Sequence, residues 1–181
     1  IHYTLIISHQ SYVNKNLSER LKRFSGLKCL FIQDEYRFID LTVKTIRELD
    51  FQLIFSVVPE RLLDVIYPPE KLPGVKKEVL LTGYVPEKLN SCSVPDLKNR
   101  SCDVFYRARK LPFWLGRLGL EKWIIGERFS QDAQQFGLNC DISSSEEDRL
   151  YGAEWIGALT DAKAVLGVES TISVLDFSGQ I

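Results

Sequence analysis

The chain has no methionine, only two histidines, and four cysteines among its 181 residues. The cysteines are Cys29, Cys92, Cys102 and Cys140, and none of them forms a C-x-x-C pair with another. This scatter argues against a zinc site and against a dense disulfide framework. We therefore expect no metal site, and we expect a reducing, cytoplasmic compartment.

Long apolar runs and an excess of one charge are also missing. No apolar run approaches the roughly 20 residues that span a bilayer, and the first residues resemble a strand more than a signal peptide. The formal net charge is −1, whereas a general nucleic-acid binder carries a strong basic excess. We therefore expect a soluble chain that has no transmembrane segment and binds no nucleic acid. We expect it in the cytoplasm or at the inner face of the membrane.

The missing methionine has a further implication. The chain begins inside an apolar strand pattern at residues 1–7 and ends at Ile181. We interpret it as an excised piece of a longer protein, truncated at both ends, so that part of the working site lies outside this sequence.

Apolar periodicity predicts an α/β protein in which strands and helices alternate. Short, almost continuous apolar runs are typical of strands that are buried on both faces of a parallel sheet. The expected strands lie at 3–8, 28–33, 51–58, 77–82, 103–107, 138–142 and 163–167, and the expected helices at 12–24, 39–49, 59–66, 115–136 and 145–160.

The alternation is interrupted once. Residues 86–101 are polar and show no sustained apolar period, so we predict a linker at 91–101. It would separate a first Rossmann-like lobe at 1–90 from a second, partial lobe at 102–181, each with a mainly parallel sheet.

A cationic loop follows the strand predicted at 103–107. Arginine offers paired donors that match phosphate oxygens, and the backbone N–H groups at a helix start also favour anions. The alternative is a solvated face. No G-x-G-x-x-G or Walker sequence is present, which argues against a simple nicotinamide or ATP site. The candidate diphosphate ligands are Arg107, Arg109, Lys110, Arg117 and Lys122.

Polar side chains also follow other predicted strands, where ligands bind in open parallel sheets. Asp34 and Glu35 could accept a proton or bind sugar hydroxyls; alternatively, Asp34 caps the next helix and Arg37 pairs with Glu35. His9 is a candidate base or sugar ligand, or it is merely solvated.

A last group of candidates follows the strand predicted at 163–167. Glu169 could hold ribose or sugar hydroxyls, and Ser170 and Thr171 could leave N–H groups aimed at an anion. Structurally, Glu169 could simply favour a helix start. The acidic run at 141–148 is better explained by a helix cap than by a metal site.

These segments, taken together, resemble bacterial glycosyltransferases with two Rossmann-like domains, the GT-B kind, and in particular family 1-like enzymes. The resemblance covers most of the chain. It is carried by FIQDEYR (31–37), LTGYVP (81–86), DVFYRARK (103–110), LGRLG (115–119) and GVES (167–170).

The resemblance implies sugar transfer from a nucleotide-sugar donor to a glycan or lipid-linked acceptor, in surface-polysaccharide or glycoconjugate synthesis, with no cofactor. It implies an acceptor-side first lobe, with Asp34, Glu35 and His9 as catalytic candidates. Arg107 and Arg109 would neutralise the departing diphosphate in place of a metal. Two departures stand out: the family's glycine between the paired arginines is Ala108, and the acid that holds the donor ribose is expected after Ile181.

Two other hypotheses stay open. The chain could be a noncatalytic α/β module that binds a phosphorylated ligand or a protein partner, or a different phosphate-handling enzyme such as a sugar-phosphate epimerase.

Overall fold

The computed structural model describes residues 13–81, 83, 86–169 and 172–181. The chain divides into two compact units, Ile1–Tyr84 with Leu175–Ile181, and Val85–Val174. The sequence prediction placed residues 175–181 in the second lobe, whereas here they group with the first unit.

The first unit alternates helices and strands. Three strands among its described residues form a parallel sheet in the order β1-β2-β3. The elements are α1 (Lys15–Arg23), β1 (Cys29–Ile32), α2 (Ile39–Glu48), β2 (Leu53–Ser56), α3 (Glu60–Ile66) and β3 (Lys76–Val79).

Strand alternation gives this sheet a buried face and a more open one. Leu30 and Ile54, which are opposite each other in β1 and β2, are fully buried, and so is Ile46 of α2. On the other face, the rings of Phe31 and Phe55 stack with centroids 4.7 Å apart, and Phe31 is half-exposed. The core therefore lies on the Leu30 face of the sheet.

The final segment is attached to the first unit through Asp176, which is 4% exposed. Its backbone N–H donates to the carbonyl oxygen of Tyr36 over 2.8 Å, and its carboxylate accepts the N–H groups of Gly179 and Gln180 at 2.7 and 3.1 Å. Burial favours the neutral acid, but these N–H groups and Arg37, 3.9 Å away, leave the pKa of Asp176 below its ordinary value. The carboxylate thus fixes the turn at 176–181.

The second unit also has a three-stranded parallel sheet, in the order β5-β4-β6. A short 3₁₀ helix at Leu97–Asn99 lies in the predicted linker, and another at Glu87–Ser91 ends where the linker begins. The other elements are β4 (Cys102–Arg107), a 3₁₀ helix at Phe113–Leu115, α4 (Arg117–Ala133), a 3₁₀ helix at Gln134–Phe136, β5 (Cys140–Ser143), α5 (Gly152–Asp161) and β6 (Ala162–Val165).

The two helices of this unit cover opposite faces of its sheet. Gly126 of α4 lies against Tyr106, and a Cβ at this glycine would be 3.2 Å from the Tyr106 ring. On the other face, Trp155 of α5 meets Phe105 edge-on, with ring centroids 5.5 Å apart. Successive strand residues point to opposite faces, so the loops after β4 and β5 open at the same sheet edge but lead to helices on different sides.

The α/β class and the parallel sheets predicted from sequence are confirmed. The start of the helix predicted at 145–160 is wrong, since α5 begins only at Gly152. The hydroxyl of Ser143 accepts the N–H of Ser145 at 3.1 Å, and the hydroxyl of Ser145 accepts the N–H of Glu147 at 3.3 Å. These turns compete with helix formation. The strand predicted at 3–8 lies outside the described residues.

Candidate functional site

A cavity of about 430 Å³ lies at the carboxyl ends of β4 and β5. This is the edge of a parallel sheet at which ligands bind. The end of β4, the loop after β5, and the helices α4 and α5 all contribute side chains. The polar and aromatic lining residues include Arg107, Arg109, Lys122, Ser143, Ser145, Glu146, Arg149, Tyr151 and Trp155.

Arg107 lines the cavity, but its donors are already used. Its Nη2 lies 2.7 and 2.9 Å from the two carboxylate oxygens of Asp141. Its Nη1 donates to the carbonyl oxygens of Tyr106 and Asp141, and its Nε donates to that of Asp148. A guanidinium has five N–H donors, and here all five are bound. Arg107 therefore ties β4 to β5 and to the following loop.

Arg109 and Lys122 are different. Both line the cavity, Arg109 exposed and Lys122 half-buried. Neither side chain makes a hydrogen bond or an ion pair with any residue that the structure describes. They are two cations whose donors are available to an anion in the cavity.

Lys110 and Arg117 are not among the residues that line this cavity. The Lys110 Nζ lies 4.0 Å from the centroid of the Trp123 ring. Arg117 is on the first turn of α4, with its Nε 3.4 Å from the Oε1 of Glu121 and its side chain 81% exposed. The five cations grouped by sequence therefore separate into a cavity set and an outer set.

The sequence analysis missed the contribution of the segment before α5. Arg149 lines the cavity, where it pairs with Glu146 and lies 5.2 Å from the centroid of the Tyr151 ring. The hydrogen bond from Arg149 to Glu146 raises the pKa of this arginine. The sequence prediction assigned these residues to a helix, although polar residues that follow a strand were an available signal.

A hydroxyl network fixes the loop after β5. The Oγ of Ser143 donates to the carboxylate of Asp148 over 2.6 Å and accepts the backbone N–H of Ser145. The backbone carbonyl of Asp148 accepts the Nε of Arg107. The loop that forms one wall of the cavity is therefore connected to the end of β4.

In the first unit, Glu35 points inward. Its Oε1 accepts the hydroxyl of Ser56 at 2.5 Å and that of Tyr67 at 3.1 Å, and both of these partners are fully buried. Burial raises the pKa of Glu35 above its ordinary value, and it also raises the pKa of the Tyr67 phenol. The carboxyl of Glu35 therefore has a structural role inside this unit.

Asp34, by contrast, is exposed and has a left-handed backbone, with φ at 61°. The structural alternative, in which Asp34 caps the next helix and Arg37 pairs with Glu35, is wrong. The N-cap of α2 is Phe38, which has no side-chain cap, and Arg37 pairs with Asp176. Asp34 is thus the accessible carboxylate of the two.

The remaining candidates lie elsewhere. Glu169 is exposed after β6 and is not among the residues that line the cavity. His9, Ser170 and Thr171 lie outside the described residues.

Comparisons with protein-family models, with curated proteins and with solved structures find no match for this chain. Within the described part of the chain, no helix has both the length and the apolar character needed to cross a bilayer.

Proposed function

We propose that the second unit binds the diphosphate of a nucleotide-sugar, and that the protein serves as a metal-independent glycosyltransferase of the GT-B kind. The observation that carries this proposal is the pair Arg109 and Lys122, two cations in one cavity that have no partner among the described residues. A cation that has no internal partner is free to neutralise charge on a bound group.

The chemistry follows from charge. When the bond to the sugar breaks, negative charge develops on the leaving diphosphate, and fixed cations stabilise it. Tyr151 and Trp155, in the same cavity, offer aromatic surface to a nucleobase. Arg107 contributes indirectly, because it holds the walls of the cavity together.

On the acceptor side, Asp34 is the candidate general base. It is exposed, whereas Glu35 is bound to Ser56 and Tyr67. A general base must reach the proton that it removes. His9 is the second acceptor-side candidate. Glu169, Ser170 and Thr171 are the candidates for holding the ribose or sugar hydroxyls.

Calorimetric titration of the full chain with pyrophosphate and with a set of nucleoside diphosphates tests the donor site. We expect Arg109→Gln and Lys122→Gln each to weaken binding about 10- to 100-fold, as for lost hydrogen bonds to a charged group. Arg117→Gln is the matched control, because it removes a cation outside the cavity. Equal losses from all three variants, or no binding by the unmodified chain, would reject this donor site.

Transfer itself is tested by release of nucleoside diphosphate from nucleotide-sugars in the presence of lipid-linked and glycan acceptors, with EDTA added. We expect release to persist in EDTA and to fall by at least about a hundredfold in Asp34→Asn, the usual scale for a general base. Release that depends on added metal would contradict the metal-independent mechanism.

A second candidate function is a noncatalytic module that binds a phosphorylated ligand. It is favoured by one observation: Arg107 and Glu35, both expected to act on substrate, are hydrogen-bonded within the protein. This candidate predicts the same binding results with Arg109→Gln and Lys122→Gln, but no sugar transfer with any donor.

A further inference from the structure

The loop between β4 and α4 has an aromatic tip. Phe113 is 85% exposed, and its ring meets Trp114 edge-on at 5.5 Å between centroids. Isolated exposed hydrophobic residues are common on protein surfaces. The surroundings of Phe113 set it apart, and we refer to residues 109–117 as the aromatic loop.

The aromatic loop has a fixed backbone. The N–H of Leu115 donates to the carbonyl oxygen of Pro112 over 3.1 Å, and the N–H of Gly116 to that of Phe113 over 3.0 Å. Leu115 is buried, and its carbonyl accepts the N–H of Ser173 at 3.1 Å. The exposure of Phe113 is therefore built into a hydrogen-bonded turn.

Gly116 closes this turn with φ at 80°, a conformation that favours glycine. A Cβ at Gly116 would also collide with the side chain of Ser173. The turn that presents Phe113 is thus held from within its own unit.

The aromatic loop is strongly cationic within a nearly neutral chain. Residues 109–117 contain Arg109, Lys110 and Arg117 and no acid, while the whole chain has a formal net charge of −1. All three cations are exposed, and within the described part of the chain only Arg117 forms an ion pair, with Glu121 of α4. The exposed Phe113, with the half-buried Trp114 beside it, lies among positive charges.

We propose that the aromatic loop is a contact site for an anionic lipid surface. Phe113 would enter the boundary between headgroups and acyl chains, where aromatic side chains are favoured, with the half-buried Trp114 next to it. Lys110 and Arg117 would stay at the level of the lipid phosphates. The local excess of cations favours a lipid surface, because each Lys or Arg close to an anionic leaflet adds to the attraction. This inference does not depend on the proposed function.

The test is sedimentation of the full 181-residue chain with vesicles of phosphatidylcholine alone and with 30% phosphatidylglycerol added, a composition of about one anionic lipid in three. We expect binding to the anionic vesicles only, weakening as salt rises because the attraction is screened. Brominated acyl chains should quench tryptophan fluorescence, since Trp114 lies next to Phe113.

Matched variants distinguish vesicle binding through the aromatic loop from nonspecific adsorption of the protein to lipid. We expect Phe113→Ala to weaken vesicle binding by about tenfold or more, because a buried aromatic side chain is lost from the interface. The control is Phe136→Ala, which removes a phenylalanine that is 73% exposed beyond the end of α4. Arg117→Glu should also reduce binding, whereas Lys98→Glu, the same change of charge on another exposed turn of this unit, should not.

Three outcomes would overturn the proposal. One is equal binding to neutral and anionic vesicles, or no vesicle binding at all. Another is an equal loss in Phe113→Ala and Phe136→Ala. The third is self-association in solution that Phe113→Ala abolishes while vesicle binding is unchanged, which would assign the tip to a second copy of the chain. Circular dichroism of each variant excludes loss of fold as the cause.

Discussion

The two units share a three-stranded parallel sheet but differ at its carboxyl edge. In the first unit, the carboxyl of Glu35 turns inward and is bound by the hydroxyls of Ser56 and Tyr67. In the second unit, the same edge opens into a cavity where Arg109 and Lys122 have no partners among the described residues. A three-stranded parallel sheet therefore supports internal packing in one unit and an open, charged site in the other.

The hydrophobic cores of the two units also differ. The first unit has one continuous apolar cluster that includes Leu30, Ile46 and Ile54, all fully buried. In the second unit, the buried residues of α4 are only Gly119, Gly126 and Ala133, and α5 has none. Apolar burial is the dominant favourable term in folding. We therefore expect the first unit to carry more of the stability and the second more of the ligand binding.

The largest expected effect comes from truncating the first core. Ile54→Ala should reduce the free energy of unfolding by about 2–5 kcal/mol, the range for buried aliphatic truncations. Ile142→Ala, a half-buried position in β5, should cost clearly less. Urea unfolding followed by circular dichroism measures both, and equal losses would contradict the difference between the cores.

The next effect concerns the inward carboxyl. Glu35→Ala leaves the buried hydroxyls of Ser56 and Tyr67 without their acceptor, which should cost about 1–3 kcal/mol of unfolding free energy. Asp34→Asn removes the charge of the exposed neighbour but keeps a residue that tolerates its left-handed backbone, so the loss should stay within about 0.5 kcal/mol. Urea unfolding should show this contrast; a larger loss for Asp34→Asn would reverse the assignment of the two carboxylates.

A smaller, pH-dependent effect follows from the raised pKa of Glu35. Its contribution to stability is complete below the ordinary value of 4.5 and is lost as pH rises through the higher pKa of the folded state. Glu35→Gln keeps an acceptor oxygen but removes the titration. Relative to the unmodified chain, this variant should therefore gain stability as the pH rises above 4.5. A pH-independent difference in the urea midpoint would show that Glu35 does not titrate differently in the folded state.

The smallest expected effect concerns Arg107, whose hydrogen-bond donors are bound within the protein and so are not available to a ligand. Asp141→Ala frees the Nη2 of Arg107. We expect pyrophosphate to bind this variant about a few-fold more tightly, because the gain is that of one additional exposed ion pair. Asp132→Ala is the control for net charge, because Asp132 lies on α4 outside the cavity. If both variants bind alike, the release of Arg107 is not the cause.

Much of the fold could be predicted from periodicity. The alternation of apolar runs and amphipathic stretches located the described strands and helices within a few residues, except at α5. That helix begins at Gly152 because serine side chains bind the backbone of the preceding loop. The competition between side-chain and helical hydrogen bonds depends on local geometry, which periodicity does not contain.

The candidate site was predictable only in part. The sequence placed cations after β4, and Arg109 and Lys122 do line a cavity there. It could not show that Asp141 and the backbone carbonyls of Tyr106 and Asp148 occupy the donors of Arg107. Nor could it show that Arg149 lies in the same cavity. Those facts depend on which strands are neighbours, and strand order is a long-range property.

By itself, the sequence determined the α/β class, the positions of most elements and the local excess of cations at 107–117. These are properties of neighbouring residues, set by side-chain period and composition. Only the tertiary structure decided that Glu35 is internal, that Arg107 is fully bonded, that Arg109 is open, and that Phe113 is exposed. The partners of a side chain depend on how segments that are distant in sequence pack together in three dimensions. A hydrogen-bond donor or an apolar group that is satisfied inside the protein is not available to a ligand.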